Sequence, residues 1–203
     1  PGAQYDLNND GIGDFNLSDT TDSISYQWGL FIQQQWALSE QLRVTVGARA
    51  DYYDVSARDP LAPTGVAAKQ DSHNDWLSAI NAAVQYSWTP DLTLFATAYE
   101  SDSTSNSMAG GNVLNADGLI DPQNFATENS LYELGVKYAP AGARWYADAV
   151  WFAQTRSLRN RDGSNSGIAS EGLELQWHYR HEAGLWATLA ASYIDAYWDN
   201  SVA

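Results

Sequence analysis

Apolar and polar residues alternate through most of this 203-residue chain, in eight stretches that fall into four pairs. A two-residue period puts successive side chains on opposite faces of a strand, so each pair predicts a hairpin. Gln27–Leu38 turns at Ser39-Glu40 into Leu42–Tyr53, and Trp76–Trp88 turns at Thr89-Pro90-Asp91 into Leu92–Tyr99. Ser130–Tyr138 turns through Ala139–Gly142 into Trp145–Thr155, and Gly172–Arg180 turns through His181–Gly184 into Leu185–Tyr193. The connections between hairpins, near Asp54–Asp75, Ser101–Asn129 and Ser157–Ser170, are far longer than ordinary hairpin loops. Short turns at one end and long loops at the other predict an all-β chain: a transmembrane antiparallel β-barrel.

The charges support this reading. In Leu42–Tyr52 the even positions are Leu, Val, Val, Ala, Ala and Tyr, whereas the odd positions carry Arg43, Arg49 and Asp51. Later strands likewise place Glu133, Lys137, Asp148, Glu174 and Arg180 opposite an apolar row. An Arg or Lys facing lipid at mid-bilayer costs about 2–4 kcal/mol, so these eight residues are expected to face the lumen. There they would line a ligand path, grip a plug or, as the plainer reading, pair with one another along the wall. A soluble β-sandwich would show shorter strands and similar turns at both ends. These strands run to about 10 residues, enough to cross a bilayer when tilted.

Composition narrows the class further. The net charge is −15, with 10 Lys and Arg against 25 Asp and Glu, which argues against nucleic acid as a partner. No run of about 18 apolar residues predicts a membrane helix. Nine tryptophans and twelve tyrosines suit aromatic girdles at two membrane interfaces. Cysteine is absent, which fits either redox compartment. No signal peptide opens the chain, and both ends fall on the long-loop side, so the sequence reads as an internal piece of a larger protein. Residues 1–22 read as an acidic extracellular loop segment, and 23–203 as barrel strands with short periplasmic turns and long extracellular loops.

Glu128–Tyr138, ENSLYELGVKY, resembles the "PE…YELGLKY" strand of TonB-dependent outer-membrane receptors, with Thr127 where the family usually has Pro. Trp28–Asp54 resembles the family's "GxFxQxxxxLtdxLxLxxGxRyD" hairpin, Asp91–Ser101 its "nLxLyaxyS" strand, and Ser170–Leu175 its "xxGvElE" strand. The resemblance covers most of Tyr26–Tyr197 in family order. It implies a barrel of about 22 strands with a plugged lumen, of which about eight are present. It further implies the outer membrane of a Gram-negative bacterium and import of a scarce ligand, by default a ferric siderophore. Cobalamin and an oligosaccharide are alternative cargoes. TonB would act through a segment outside this sequence, and outer-membrane lipid and a capping surface lipoprotein are further expected partners. No catalytic residue and no obligatory cofactor are expected. The competing readings are a barrel enzyme of lipase or protease type and a structural or adhesive barrel. The first lacks a nucleophile beside an oriented base.

Several loop residues are candidates for binding. Asp6, Asn8, Asp10 and Gly11 match positions 1, 3, 5 and 6 of a calcium loop, with Ile12 offering a carbonyl and Asp14 a carboxylate. Leu17 stands where such loops carry Glu, and a solvated acidic loop is the alternative reading. Tyr53, His73, Phe125 and Trp198 are candidate ligand contacts near strand ends. The Ser-, Asn- and Gly-rich stretch Ser101–Asn129 suits a loop that closes over ligand. His178 falls on the polar face of its strand, where a hydrogen-bonded lumen role is expected. Eight strands alone would leave open sheet edges.

Overall fold

The computed structural model describes residues 4–5, 15–16, 22–58, 70–104, 114, 119–120, 122, 125–159 and 165–199. A short pair, β1 (Gln4–Tyr5) with β2 (Phe15–Asn16), precedes one eight-stranded antiparallel sheet. Its strands are β3 (Asp22–Ala37), β4 (Leu42–Arg58), β5 (Gln70–Ser87) and β6 (Leu92–Thr104), followed by β7 (Ala126–Tyr138), β8 (Trp145–Arg159), β9 (Asn165–Arg180) and β10 (Trp186–Trp198). Every strand pairs with its neighbours in sequence, from β3 at one edge to β10 at the other, and the sheet is open.

The short turns are fixed by local chemistry. Ser39 Oγ accepts the Gln41 and Leu42 amides, and Thr89 Oγ1 accepts those of Asp91 and Leu92. The other two turns place Gly142 and Gly184 at φ of 75° and 84°, the left-handed region that a side chain disfavours. Adjacent turns are joined as well, because Asp91 Oδ1 accepts the Ala141 amide at 2.8 Å.

All eight predicted strands are present, and all are longer at the long-loop end than the alternation suggested. β7 begins at Ala126 and β9 at Asn165, so much of two predicted loops is strand. The reason is physical: above the apolar band lipid no longer selects one face, so the loop ends of β5 and β6 are polar on both faces and the strand signal fades from the sequence while backbone pairing continues. β4, with 17 residues, is roughly 56 Å long at about 3.3 Å per residue, more than a hydrocarbon core of about 30 Å.

Pairing register carries one face around the sheet. Asp51 opposes Leu77, Ala79 opposes Ser101, Phe95 opposes Gly135, Lys137 opposes Asp148, and Val150 opposes Glu174. Arg43, Arg49, Asp51, Glu133, Lys137, Asp148, Glu174 and Arg180 therefore share one face, here called polar. The other face is apolar from the turns upward. Its first charges are Asp54 on β4, Glu100 on β6, Glu128 on β7, Glu171 on β9 and Asp195 on β10, all toward the long loops. Trp28, Tyr52 and Trp76 form one cross-strand row on that face, with Tyr52 and Trp76 rings 5.4 Å apart. A second aromatic row sits beside the short turns, where Tyr138 meets Trp145 and Trp177 stacks on Tyr179. Two aromatic rows bounding an uncharged band are the signature of a membrane-spanning wall.

On the polar face, four glycines each sit opposite a larger residue that lies across them: Gly29 beneath Asp51, Gly47 beneath Asn81, Gly135 beneath Phe95 and Gly172 beneath Phe152. The large side chains thus lie along the wall.

Candidate functional site at the long-loop end

The polar face changes character toward the loops. Along β4 its positions run Arg43, Thr45, Gly47, Arg49 and Asp51, then switch to Tyr53, Val55 and Ala57. Those three are buried, as is Leu77 on the paired strand β5. What covers them comes from the connection between β6 and β7: Leu114, Ile120 and Phe125 pack into the same cluster. Phe125 is only 1% exposed. Among the described residues, seven of the nine buried apolar side chains belong to this cluster. Each fully buried Leu, Ile or Phe contributes roughly 1.5–3 kcal/mol, so the contact is a substantial local core.

Polar contacts fix its orientation. Asp71 Oδ2 accepts the Ile120 amide at 2.8 Å, tying the connection to β5. The Phe125 ring lies 5.6 Å from that of Tyr53 and 4.6 Å from that of His73, edge-on to the imidazole. His73 Nε2 is buried there without a hydrogen-bond partner among the described residues.

Three of the four predicted ligand contacts, Tyr53, His73 and Phe125, are therefore brought together. Trp198 is not: it ends β10 at the opposite edge of the sheet and is 67% exposed. Sequence reasoning passed over Val55, Ala57, Leu77, Leu114 and Ile120. The available signal was the apolar run Tyr53, Val55, Ala57 on a face that is otherwise polar.

The expected wall of mutual ion pairs does not form among the eight charged residues. Arg49 and Asp51 pair through two contacts of 2.6 Å, supported by Gln27 at 3.1 Å. Lys137 opposes Asp148 in register but lies over the Phe95 ring, 5.2 Å from its centre. Glu133 instead accepts the Thr97 hydroxyl at 2.6 Å. Arg43, Asp148, Glu174 and Arg180 enter no salt bridge among the described residues. The reason lies in the sheet: residues of one face on neighbouring strands have fixed separations, and most opposed positions here hold a neutral residue. His178 is hydrogen-bonded to Thr188 and Gln176 and stacks on Tyr146.

The calcium candidates Asp6, Asn8, Asp10, Ile12 and Asp14 lie outside the described residues, between the paired strands β1 and β2. Among the described residues no group of three acidic, His or Cys side chains is placed to hold a metal.

This wall has known counterparts. The family model for the β-barrel of TonB-dependent receptor-like proteins matches residues 1–202. The chain belongs to the TonB-dependent receptor β-barrel family. Among solved structures, the siderophore receptor PiuA from Acinetobacter baumannii is similar at a TM-score of 0.72 and 15% identity, with 87% of this chain and 26% of PiuA covered. The ferric yersiniabactin uptake receptor FyuA from Yersinia pestis is similar at a TM-score of 0.64 and 17% identity, over 89% of this chain and 29% of FyuA. The copper transporter OprC gives a TM-score of 0.64 and 18% identity, over 89% of this chain and 30% of OprC. At these identities the likeness is one of fold, and the chain spans less than a third of the length of each of these three proteins. No curated protein matches the chain.

Proposed function

We propose that this chain forms part of the wall of an outer-membrane receptor that captures a scarce metal chelate, a ferric siderophore by default, at the cell surface and delivers it to the periplasm. The family match over residues 1–202 carries this reading. Receptors whose names refer to siderophore, ferric yersiniabactin and copper share the fold, which favours metal cargo over cobalamin or oligosaccharide. The polar face is the lumen wall, and its charges without salt bridges, Arg43, Asp148, Glu174 and Arg180, are free to meet a plug or passing cargo. Tyr53, His73 and Phe125 mark the surface mouth. Transport draws on TonB, which engages a part of the protein outside this chain, and the host is Gram-negative. Asp6, Asn8, Asp10, Ile12 and Asp14 hold calcium and stiffen the surface loop in this reading.

Deleting the gene in its host tests the proposal. Cells starved of iron should lose TonB-dependent accumulation of radioactive iron supplied as a panel of purified ferric siderophores. Unchanged accumulation across the panel, with the receptor verified in the parent, rejects the ferric cargo. Calcium is tested by titrating the purified receptor in calorimetry, with Asp6→Asn and Asp10→Asn removing the heat of binding.

A further inference from the structure

We infer that the part of the β6–β7 connection carrying Leu114, Ile120 and Phe125 is a fixed constriction, docked on the lumen side of β4 and β5, which sets the width of the mouth and does not open and shut as a lid. This rests on the reading of the polar face as the lumen.

The packing supports permanence. Segments that open during function have few buried apolar contacts. Here the anchor buries Phe125 at 1% exposure, Ile120 at 2% and Leu114 at 5% against Tyr53, Val55, Ala57 and Leu77. Lifting it would expose both halves of that core to water at once. Burial also differs sharply between neighbours: Leu119 is 52% exposed beside Ile120 at 2%, as in a packed element with an inner and an outer side. The Ile120 amide is meanwhile bound by Asp71, so backbone and side chain hold the same register. The wall residues of the cluster lie on β4 and β5, with Ala126 at the start of β7 packed against it, so Leu114, Ile120 and Phe125 lie inward over neighbouring wall.

The consequence concerns specificity. Tyr53 and His73 are roofed by Phe125 and serve as the seat of the constriction. Cargo passing this part of the wall meets the outward side of the anchor, where Leu119 is exposed. Phe125 is thus a positioning residue for the mouth, and cargo too bulky for the narrowed opening is excluded.

The absence of cysteine from this chain makes a direct test simple. Leu119→Cys and Ile120→Cys are placed singly in the full-length receptor, with any cysteine elsewhere replaced, in living cells. Reaction with a membrane-impermeant maleimide is then timed with and without functional TonB. We expect Leu119→Cys to react at least ten-fold faster than Ile120→Cys, with the same ratio in both backgrounds. Adding Phe125→Ala should bring the two rates together. Ala57→Cys on the facing wall reports independently: it should be protected like Ile120→Cys and released by the same Phe125→Ala change. Equal rates at 119 and 120 in the parent, or a ratio that collapses only when TonB is active, would overturn the fixed constriction in favour of a lid. Heat-modifiable electrophoretic mobility confirms that each variant is folded. A receptor that transports none of the ferric panel yet keeps the labelling ratio would sink the cargo reading and leave this one standing.

Discussion

The loop end of β4 and β5 and the strand β10 both carry large apolar side chains but find their partners in different places. At the first, Tyr53, Val55, Ala57 and Leu77 are buried within the chain by residues more than thirty positions away in sequence. Along β10 every residue is exposed, including Leu189, Tyr193 and Ile194. β10 pairs with β9 on one side only. Leu189 and Tyr193 lie on the apolar face, where lipid is the matching surroundings, and the edge of β10 away from β9 is unpaired among the described residues. The contrast teaches that a barrel wall has two solvents, and that most of the buried apolar side chains among the described residues gather in one cluster at its rim.

The strongest way to break this contrast is to remove Phe125. Phe125→Ala should weaken local docking by about 3–5 kcal/mol, the usual cost of emptying a core aromatic site, and protease should cut between residues 105 and 125 many times faster. Tyr193→Ala removes a ring of similar size from β10 and should leave stability in detergent nearly unchanged, because that ring is 72% exposed. If both variants behave alike, the rim has no special core. Next in size is the lipid dependence of β10. Ala191→Arg places a charge on the apolar face and should cost about 2–4 kcal/mol near mid-bilayer, with a matching fall in heat-modifiable receptor in outer membranes. Ala190→Arg, one residue away on the polar face, should assemble normally.

Smaller effects sharpen the picture. Gly135→Leu forces the Phe95 ring off the wall and with it the Lys137 contact, for about 1–3 kcal/mol of overpacking, measured by guanidinium unfolding in detergent. At the short turns Arg144 pairs with Glu182 between exposed side chains. Arg144→Ala should change stability by at most about 0.5 kcal/mol in the same assay.

The short-turn half of the fold was legible in the sequence, and the long-loop half was not. Ser39, Thr89, Gly142 and Gly184 mark turns through side-chain acceptors or left-handed backbone, and those turns were placed correctly. Lipid enforces alternation between the turns and the upper aromatic row, so strand faces could be assigned residue by residue. Above that row lipid no longer selects, and Asn165–Ser170 or Ala126–Asn129 read as loop although they pair as strand. The candidate site was legible only in part. Tyr53, His73 and Phe125 were chosen as aromatic or titratable residues near strand ends. Their convergence depends on Leu114, Ile120 and Phe125 packing inward, and the local pattern offers only the apolar run Tyr53, Val55 and Ala57 as a sign that something covers that face. Trp198 met the same local criteria and lies across the sheet.

The glycines of the polar face carry one more consequence. Gly135 and Phe95, or Gly172 and Phe152, lie on different strands yet share one volume, so neither position can vary freely. A side chain gained at the glycine must be matched by one lost at its partner. Among relatives such pairs should change together, large with small and small with large, so that bulk migrates from strand to strand while the bore of the barrel stays constant. Variation at these sites would then record pairing register directly.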